Sequence, residues 1–148
     1  MKRNRPASII CLALLLLIYS CNHIKSGDKL SSSERSTIDR LYKLDAGETV
    51  DKFYSEHTSD VAGNFFTNKR IANYWLDKND KARTAVNFAW YSDIISIDTV
   101  FNAGATYCPY MLITRKDSSQ FKVFADGDKA DVNAFFTGAM NNWKRSGK

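Results

Sequence analysis

Six apolar residues near the C-terminus recur at the spacing of one helix face. Counted from Val132, the others follow at steps of 3, 4, 7, 8 and 11, namely Phe135, Phe136, Ala139, Met140 and Trp143. Because of the helical period, these positions form a single apolar stripe. We predict a long C-terminal helix with Asp128 as its N-cap and Asp131 at the capping-box position. The stripe packs against a sheet in the favoured interpretation, and it binds a partner in the alternative.

The region before this helix has the composition of short β-strands. The segments rich in β-branched and aromatic residues are 49–57, 64–76, 86–90, 94–101, 111–114 and 121–124. Segment 64–76 contains a turn at 67–70 and therefore holds two strands. A short helix is predicted before them, at 34–44. One short helix, six or seven strands and one long helix together indicate a single α+β domain.

Three segments follow one another in a recognisable order. They are a Leu…Gly-Glu segment at 44–48, a Gly…Thr-Asn-Lys-Arg-aliphatic strand at 63–71, and a Tyr-x-x-Ile-x-x-Ile strand at 91–98. With the element order, they resemble the bacterial PH-like and GRAM-like group of the pleckstrin-homology (PH) superfold. The resemblance covers residues 44–145 and implies an antiparallel, partly open β-barrel plugged by the C-terminal helix. The residues expected to plug it are Phe135, Phe136, Met140 and Trp143. The resemblance also implies binding rather than catalysis.

The same resemblance points to basic residues as candidate ligand contacts. They are Lys69, Arg70, Lys78, Lys81 and Arg83. Familiar eukaryotic members of the superfold bind phosphoinositides through basic loops. Here Asp77 and Asp80 interrupt the set, and the expected compartment does not supply those lipids, so we do not carry that function over. The alternative for 67–71 is a β-turn or bulge with Arg70 in a surface ion pair.

The first twenty residues predict a cleavable lipoprotein signal. A basic start at 1–5 precedes an apolar run at 7–19, which is too short to span a bilayer as a helix. The run ends at Ile18-Tyr19-Ser20-Cys21, which resembles a lipobox. That resemblance implies cleavage before Cys21, diacylglycerol on its sulfur and acylation of its new amine. In the alternative, a secreted protein is cleaved elsewhere and Cys21 is an ordinary thiol.

Removal of the signal changes the charge and divides the chain. Lys2, Arg3 and Arg5 leave with it, so 21 basic and 16 acidic residues become 18 and 16, and the net charge falls from +5 to +2. Such a balance does not indicate nucleic-acid binding. We predict a signal at 1–20, a flexible Ser-rich tether at 21–33 and one PH-like domain at 34–148. Residues 22–26 carry no acidic cluster, which in the Bacteroidetes-like lipoproteins that this chain resembles favours a periplasm-facing protein.

The mature sequence contains no recognisable catalytic or cofactor motif. It has no paired metal ligands at helical spacing, no nucleophile elbow and no glycine-rich phosphate loop. Cys108 is interpreted as a buried small apolar residue, since a catalytic thiol needs a base and the only histidines are His23 and His57. We therefore predict no enzyme, no cofactor and no metal. Two functions stay open: a membrane-anchored adaptor that binds another envelope protein, and an immunity or inhibitor lipoprotein that neutralises a periplasmic toxin or hydrolase.

Overall fold

The computed structural model describes residues 24–104 and 108–147. In chain order, its elements are β1 (Lys25–Ser26), α1 (Ser32–Tyr42), β2 (Val50–Tyr54), β3 (Ala62–Thr67), β4 (Arg70–Trp75), β5 (Ala85–Trp90), β6 (Ile94–Val100), β7 (Tyr110–Arg115), β8 (Gln120–Phe124) and α2 (Lys129–Ser146). The predicted signal, Cys21 and His23 lie outside the described residues. Neither helix in the described ranges is long and apolar enough to cross a bilayer.

The strands form two antiparallel sheets, so the α+β class is confirmed. The first sheet has the order β1-β2-β3-β4-β5, and the second has the order β6-β7-β8. The described residues contain eight strands instead of six or seven, because β1 was not predicted. A barrel is not confirmed, since strand pairing within the described ranges leaves two separate sheets.

A row of three asparagines connects the two sheets. Asn64, Asn73 and Asn87 lie opposite one another on β3, β4 and β5. The Asn64 Oδ1 accepts from the Phe124 N–H at 2.9 Å, and the Asn73 Nδ2 donates to the Lys122 carbonyl at 2.9 Å. Asn87 donates to the Asn73 Oδ1 at 3.1 Å. Side chains thus bind the edge of β8 where a closed barrel would use a backbone ladder.

Helix α2 supplies much of the core between the sheets. Phe135 and Phe136 are 0% and 1% exposed, as the apolar stripe predicted, whereas Met140 and Trp143 are only partly buried against the core. The Phe135 ring meets the Phe66 ring edge-on, with centroids 5.1 Å apart. Asp128 is the N-cap residue, but its side chain makes no capping hydrogen bond.

Helix α1 covers the opposite face of the first sheet. Its Ile38 and Tyr42 are buried with Phe65 and Tyr74 of the sheet. Ser31 and Glu34 form a complete capping box, and Leu30 is buried, so the helix begins at Ser32. The predicted flexible tether is therefore wrong for residues 24–33. Its Ser-rich composition reflects a helix cap, and β1 pairs with β2 in the sheet.

Candidate functional site

The structure does not bring the five predicted basic residues together. Lys69 precedes the first residue of β4, whereas Lys78, Lys81 and Arg83 follow its last residue. The five steps along this strand separate the two groups by about 17 Å. Lys69, Lys78 and Arg83 form exposed ion pairs with Asp45, Asp60 and Asp80, at 3.4, 2.5 and 3.3 Å respectively. These residues thus occupy both ends of the sheet and do not form one patch.

Arg70 lies in the interior, so its expected position at the surface is wrong. It is 2% exposed and forms a two-point ion pair with Glu48, with Nε–Oε1 and Nη2–Oε2 distances of 2.7 and 2.6 Å. Its guanidinium carbon stands 4.0 Å from the centroid of the Trp90 ring. The Thr67 hydroxyl donates to the Glu48 Oε1 at 2.8 Å. We call Arg70 and Glu48 the closed pair, because a ligand has no access to either charge.

The closed pair holds the segment before β2 against the sheet. Burial raises the pKa of Glu48, but hydrogen bonds from Arg70, the Asp45 N–H and Thr67 outweigh it and keep that pKa below its ordinary value. Glu48 is therefore a charged anchor for residues 45–48. Arg70 also donates to the Tyr42 carbonyl at 3.3 Å, which ties in the end of α1. The role of the pair is structural.

Cys108 is partly buried instead of fully buried as predicted. Its Sγ lies 3.8 Å from the Asp126 Oδ2. Burial, and then the Asp126 carboxylate, raise the pKa of the thiol. Burial also raises the pKa of the nearby Glu56. The raised pKa of the Cys108 thiol opposes the thiolate that a nucleophilic cysteine requires.

A groove between β2 and α2 is open to solvent, unlike the buried closed pair. Its cavity volume is about 520 Å³. The lining residues are Asp51, Lys52, Phe66, Ala134, Gly138, Asn141, Asn142, Lys144 and Arg145. Small residues bring the helix close to the sheet, since a Cβ on Gly138 would stand 2.8 Å from the Phe66 ring. We call this surface the helix–β2 groove.

A buried amide organises the polar side of the helix–β2 groove. Asn142 is 5% exposed, and its Nδ2 donates to the Asp51 Oδ2 at 2.6 Å and to the Thr67 carbonyl at 3.1 Å. The Arg145 Nη2 donates to the Asn142 Oδ1. The amide thus fixes both Asp51 and Arg145 at the rim, which reduces the entropy lost when a ligand binds there.

The groove carries an excess of positive charge. Lys52, Lys144 and Arg145 line it together with one carboxylate, Asp51, and none of the three cations forms an ion pair with another described residue. In contrast, three of the basic residues predicted from the sequence are neutralised by surface acids, and Arg70 is buried with Glu48. The three cations of the groove therefore stay available to a ligand.

The sequence contained one signal for this site. Asn142 follows Phe135 by seven positions and Ala139 by three, so it belongs to the apolar stripe of α2 although it is polar. A polar residue on a core-facing stripe needs hydrogen-bond partners inside the protein. Asp51 and Lys52 gave no such signal, because their position opposite α2 depends on the tertiary fold.

Comparisons with known proteins support the fold. No family model matches the chain, and a search of curated proteins finds no match. Among solved structures, the chain is similar to the crystal structure of a DUF1696 family protein with a pleckstrin-homology domain from Shewanella loihica PV-4. The TM-score is 0.52 at 10% identity, over 84% of this chain and 97% of that chain. At this identity the likeness establishes a PH-like fold and nothing about ligands.

Proposed function

We propose that this chain is a lipid-anchored adaptor of the cell envelope, which binds another envelope protein through its PH-like domain and catalyses no reaction. The observation that carries the proposal is the helix–β2 groove, with three cations free of ion pairs around a fixed amide. Open, polar grooves with preorganised side chains suit recognition of a partner. The lipid anchor rests on the sequence pattern that ends at Cys21.

The anchor would hold the domain close to the membrane. Cys21 precedes Ile24, which already packs against the core, by three residues, so the lipid lies within about 10 Å of the fold. Because β1 pairs antiparallel with β2, with Lys25 opposite Phe53, the chain enters the sheet beside Tyr54. The loops 55–61 and 76–84 lie at that same end and would face the bilayer.

The cationic part of the groove lies at the other end of the sheet. Asn142 contacts the carbonyl of Thr67, which is the last residue of β3 and pairs with Val50, the first residue of β2. Lys144 and Arg145 follow on the last turn of α2. In a periplasm-facing protein, this end would point away from the bilayer and toward other envelope proteins.

Replacement of the lipid-carrying cysteine tests the anchor. Cys21→Ser should abolish fatty-acid labelling and move the protein from the membrane to the soluble fraction. Cys108→Ser is the matched control and should leave both unchanged. A Cys21→Ser protein that stays labelled and membrane-bound would rule out this anchor. Protease added to intact cells should spare the periplasm-facing protein, and digestion would reverse the assigned facing.

Site-specific cross-linking tests the adaptor role. A photoreactive residue at Asn141, exposed in the groove, should give one discrete adduct in intact cells. The same residue at Lys116, exposed in the turn between β7 and β8, should not give that adduct. The absence of an adduct from Asn141 and from a set of other exposed positions would contradict an adaptor. If the captured protein is a toxin or hydrolase that this chain inhibits, the inhibitor function replaces the adaptor function.

A further inference from the structure

We propose that the helix–β2 groove binds an extended acidic segment of a partner protein, with carboxylates against Lys52, Lys144 and Arg145 and an apolar side chain between them. This inference rests on the proposed adaptor function and adds the chemistry of the partner. It follows from the charge, the shape and the position of the groove.

The charge of the groove selects an acidic ligand. Three cations and one carboxylate give the lining a net charge of +2. The Asp51 carboxylate is engaged by Asn142 at 2.6 Å, and Asn142 also receives the Arg145 guanidinium on its Oδ1. Arg145 has further N–H donors, which can bind a carboxylate. An incoming carboxylate thus meets a positioned guanidinium and the two ammonium groups of Lys52 and Lys144, which form no ion pair with a described residue.

The shape of the groove selects an extended chain with small apolar contacts. Ala134 and Gly138 occupy successive turns of α2 on one side, and β2 forms the other. Ala134 and Asn141 are seven residues apart, which corresponds to about 10 Å of helix. An extended peptide covers that length with about three residues. Phe66 at the floor is only 2% exposed, so an apolar side chain of the ligand would mainly contact Ala134 and Gly138.

The position of the groove favours a protein over a membrane lipid. The loops nearest the expected anchor, 55–61 and 76–84, contain four acids (Glu56, Asp60, Asp77 and Asp80) and three bases (Lys78, Lys81 and Arg83). The end near the bilayer is thus not cationic, whereas the cations of the groove lie at the far end of β3.

Peptide binding to the full-length lipidated chain in detergent tests this inference. The probe is a fluorescently labelled peptide of alternating Glu and Leu, and the comparison peptide has Gln in place of Glu. We expect the Glu peptide to bind about tenfold more tightly, and added salt to reduce that difference. The double variant Lys52→Glu with Lys144→Glu should weaken binding about tenfold.

Two further variants separate the groove from general charge and from misfolding. Lys81→Glu with Lys116→Glu makes the same change in net charge at exposed positions outside the groove and should alter binding less than about twofold. Ala134→Phe changes no charge, narrows the groove from an exposed helix position and should also weaken binding. Thermal unfolding of each variant shows whether it is folded, and the comparison uses folded variants.

Each outcome decides the matter. Equal affinity for both peptides, an equal loss in the Lys81 and Lys116 variant, or no binding would overturn the inference. Binding to phosphatidylglycerol vesicles that is lost in the Lys52 and Lys144 variant would assign the groove to lipid instead. If the Lys52 and Lys144 variant still captures the cross-linked partner, the groove is not the binding site, whereas the adaptor function stands. If the peptide binds in the groove but no partner is captured in cells, the adaptor is what fails.

Discussion

The closed pair and the helix–β2 groove both join an arginine to a carboxylate around Thr67, but they leave these charges in different states. Arg70 contacts Glu48 directly at two points, and the Thr67 hydroxyl completes the Glu48 shell. Arg145 instead reaches the amide of Asn142, which holds Asp51 and the Thr67 carbonyl. Both charges of the closed pair are buried and stabilise the fold, whereas the charge of Arg145 in the groove stays available at the surface.

The difference follows from what surrounds each arginine. Arg70 lies on β4 under helix α1, and its guanidinium carbon is 4.0 Å from the Trp90 ring centroid and 5.1 Å from that of Phe88. A guanidinium without water needs a full carboxylate partner. Arg145 lies on the last turn of α2 and is exposed, so water satisfies its remaining donors. Burial therefore explains why one site is structural, and exposure explains why the other suits binding.

The largest effect is expected from breaking the closed pair. Arg70→Met leaves the Glu48 carboxylate buried without its partner, so the free energy of unfolding should fall by about 3–5 kcal/mol. Lys69→Met, which removes an exposed ion pair one residue away, should cost less than about 1 kcal/mol. Denaturant titration measures both. Adding Glu48→Leu to Arg70→Met should restore part of the loss, and an Arg70→Met cost as small as that of Lys69→Met would mean that the closed pair is not an anchor.

A smaller effect is expected at the amide of the groove. Asn142→Leu keeps the volume but removes the donor to Asp51 and to the buried Thr67 carbonyl, which should cost about 1–3 kcal/mol. Asn141→Leu is the neighbouring control and should be nearly neutral, since Asn141 is exposed. Denaturant midpoints of the two variants provide the comparison. Equal midpoints would show that Asn142 does not organise the groove.

Acid should weaken the closed pair. The folded-state pKa of Glu48 lies below its ordinary value of 4.5, so the unfolded chain binds a proton more readily than the folded one. The stability that Glu48 contributes is therefore fully present above about pH 4.5 and is lost as the pH falls toward the folded pKa. Glu34 acts in the same direction. Burial raises its pKa, but hydrogen bonds from Lys25 and Ser31 outweigh that effect and keep the pKa below its ordinary value.

The comparison that isolates this effect uses Glu48→Gln. Between pH 5 and 4 only a fraction of the Glu48 carboxylates becomes protonated. The parent protein should therefore lose less free energy of unfolding over this range than it loses through Arg70→Met. Unfolding free energy measured across this range should fall less steeply in Glu48→Gln than in the parent protein. If the free energy of unfolding fell equally steeply with pH in both proteins, folding would not lower the pKa of Glu48.

Sequence reasoning succeeded where the pattern is local and failed where partners are distant. The stripe of α2 and the hairpin of β3 and β4 follow from spacing and turn chemistry over a few residues. The burial of Arg70 depends on Glu48, 22 positions earlier, and on α1 folding over β4. The groove depends on Asp51 meeting Asn142 across 91 positions. Such contacts leave no periodic signal, although a polar Asn142 on an apolar stripe marks where to look.

The smallest effect on stability, and the sharpest separation of the two clusters, is expected at Arg145. Arg145→Gln removes an exposed charge whose only side-chain hydrogen bond among the described residues is to the Asn142 Oδ1, where water can replace it. The free energy of unfolding should therefore change by less than about 0.5 kcal/mol. Because the guanidinium is the positioned cation of the groove, binding of the Glu and Leu peptide should nevertheless fall about tenfold. Fluorescence anisotropy and denaturant titration on the same preparation measure both quantities. A variant that loses stability but keeps the peptide would mean that Arg145, like Arg70, serves the fold, because its charge would then be satisfied inside the protein.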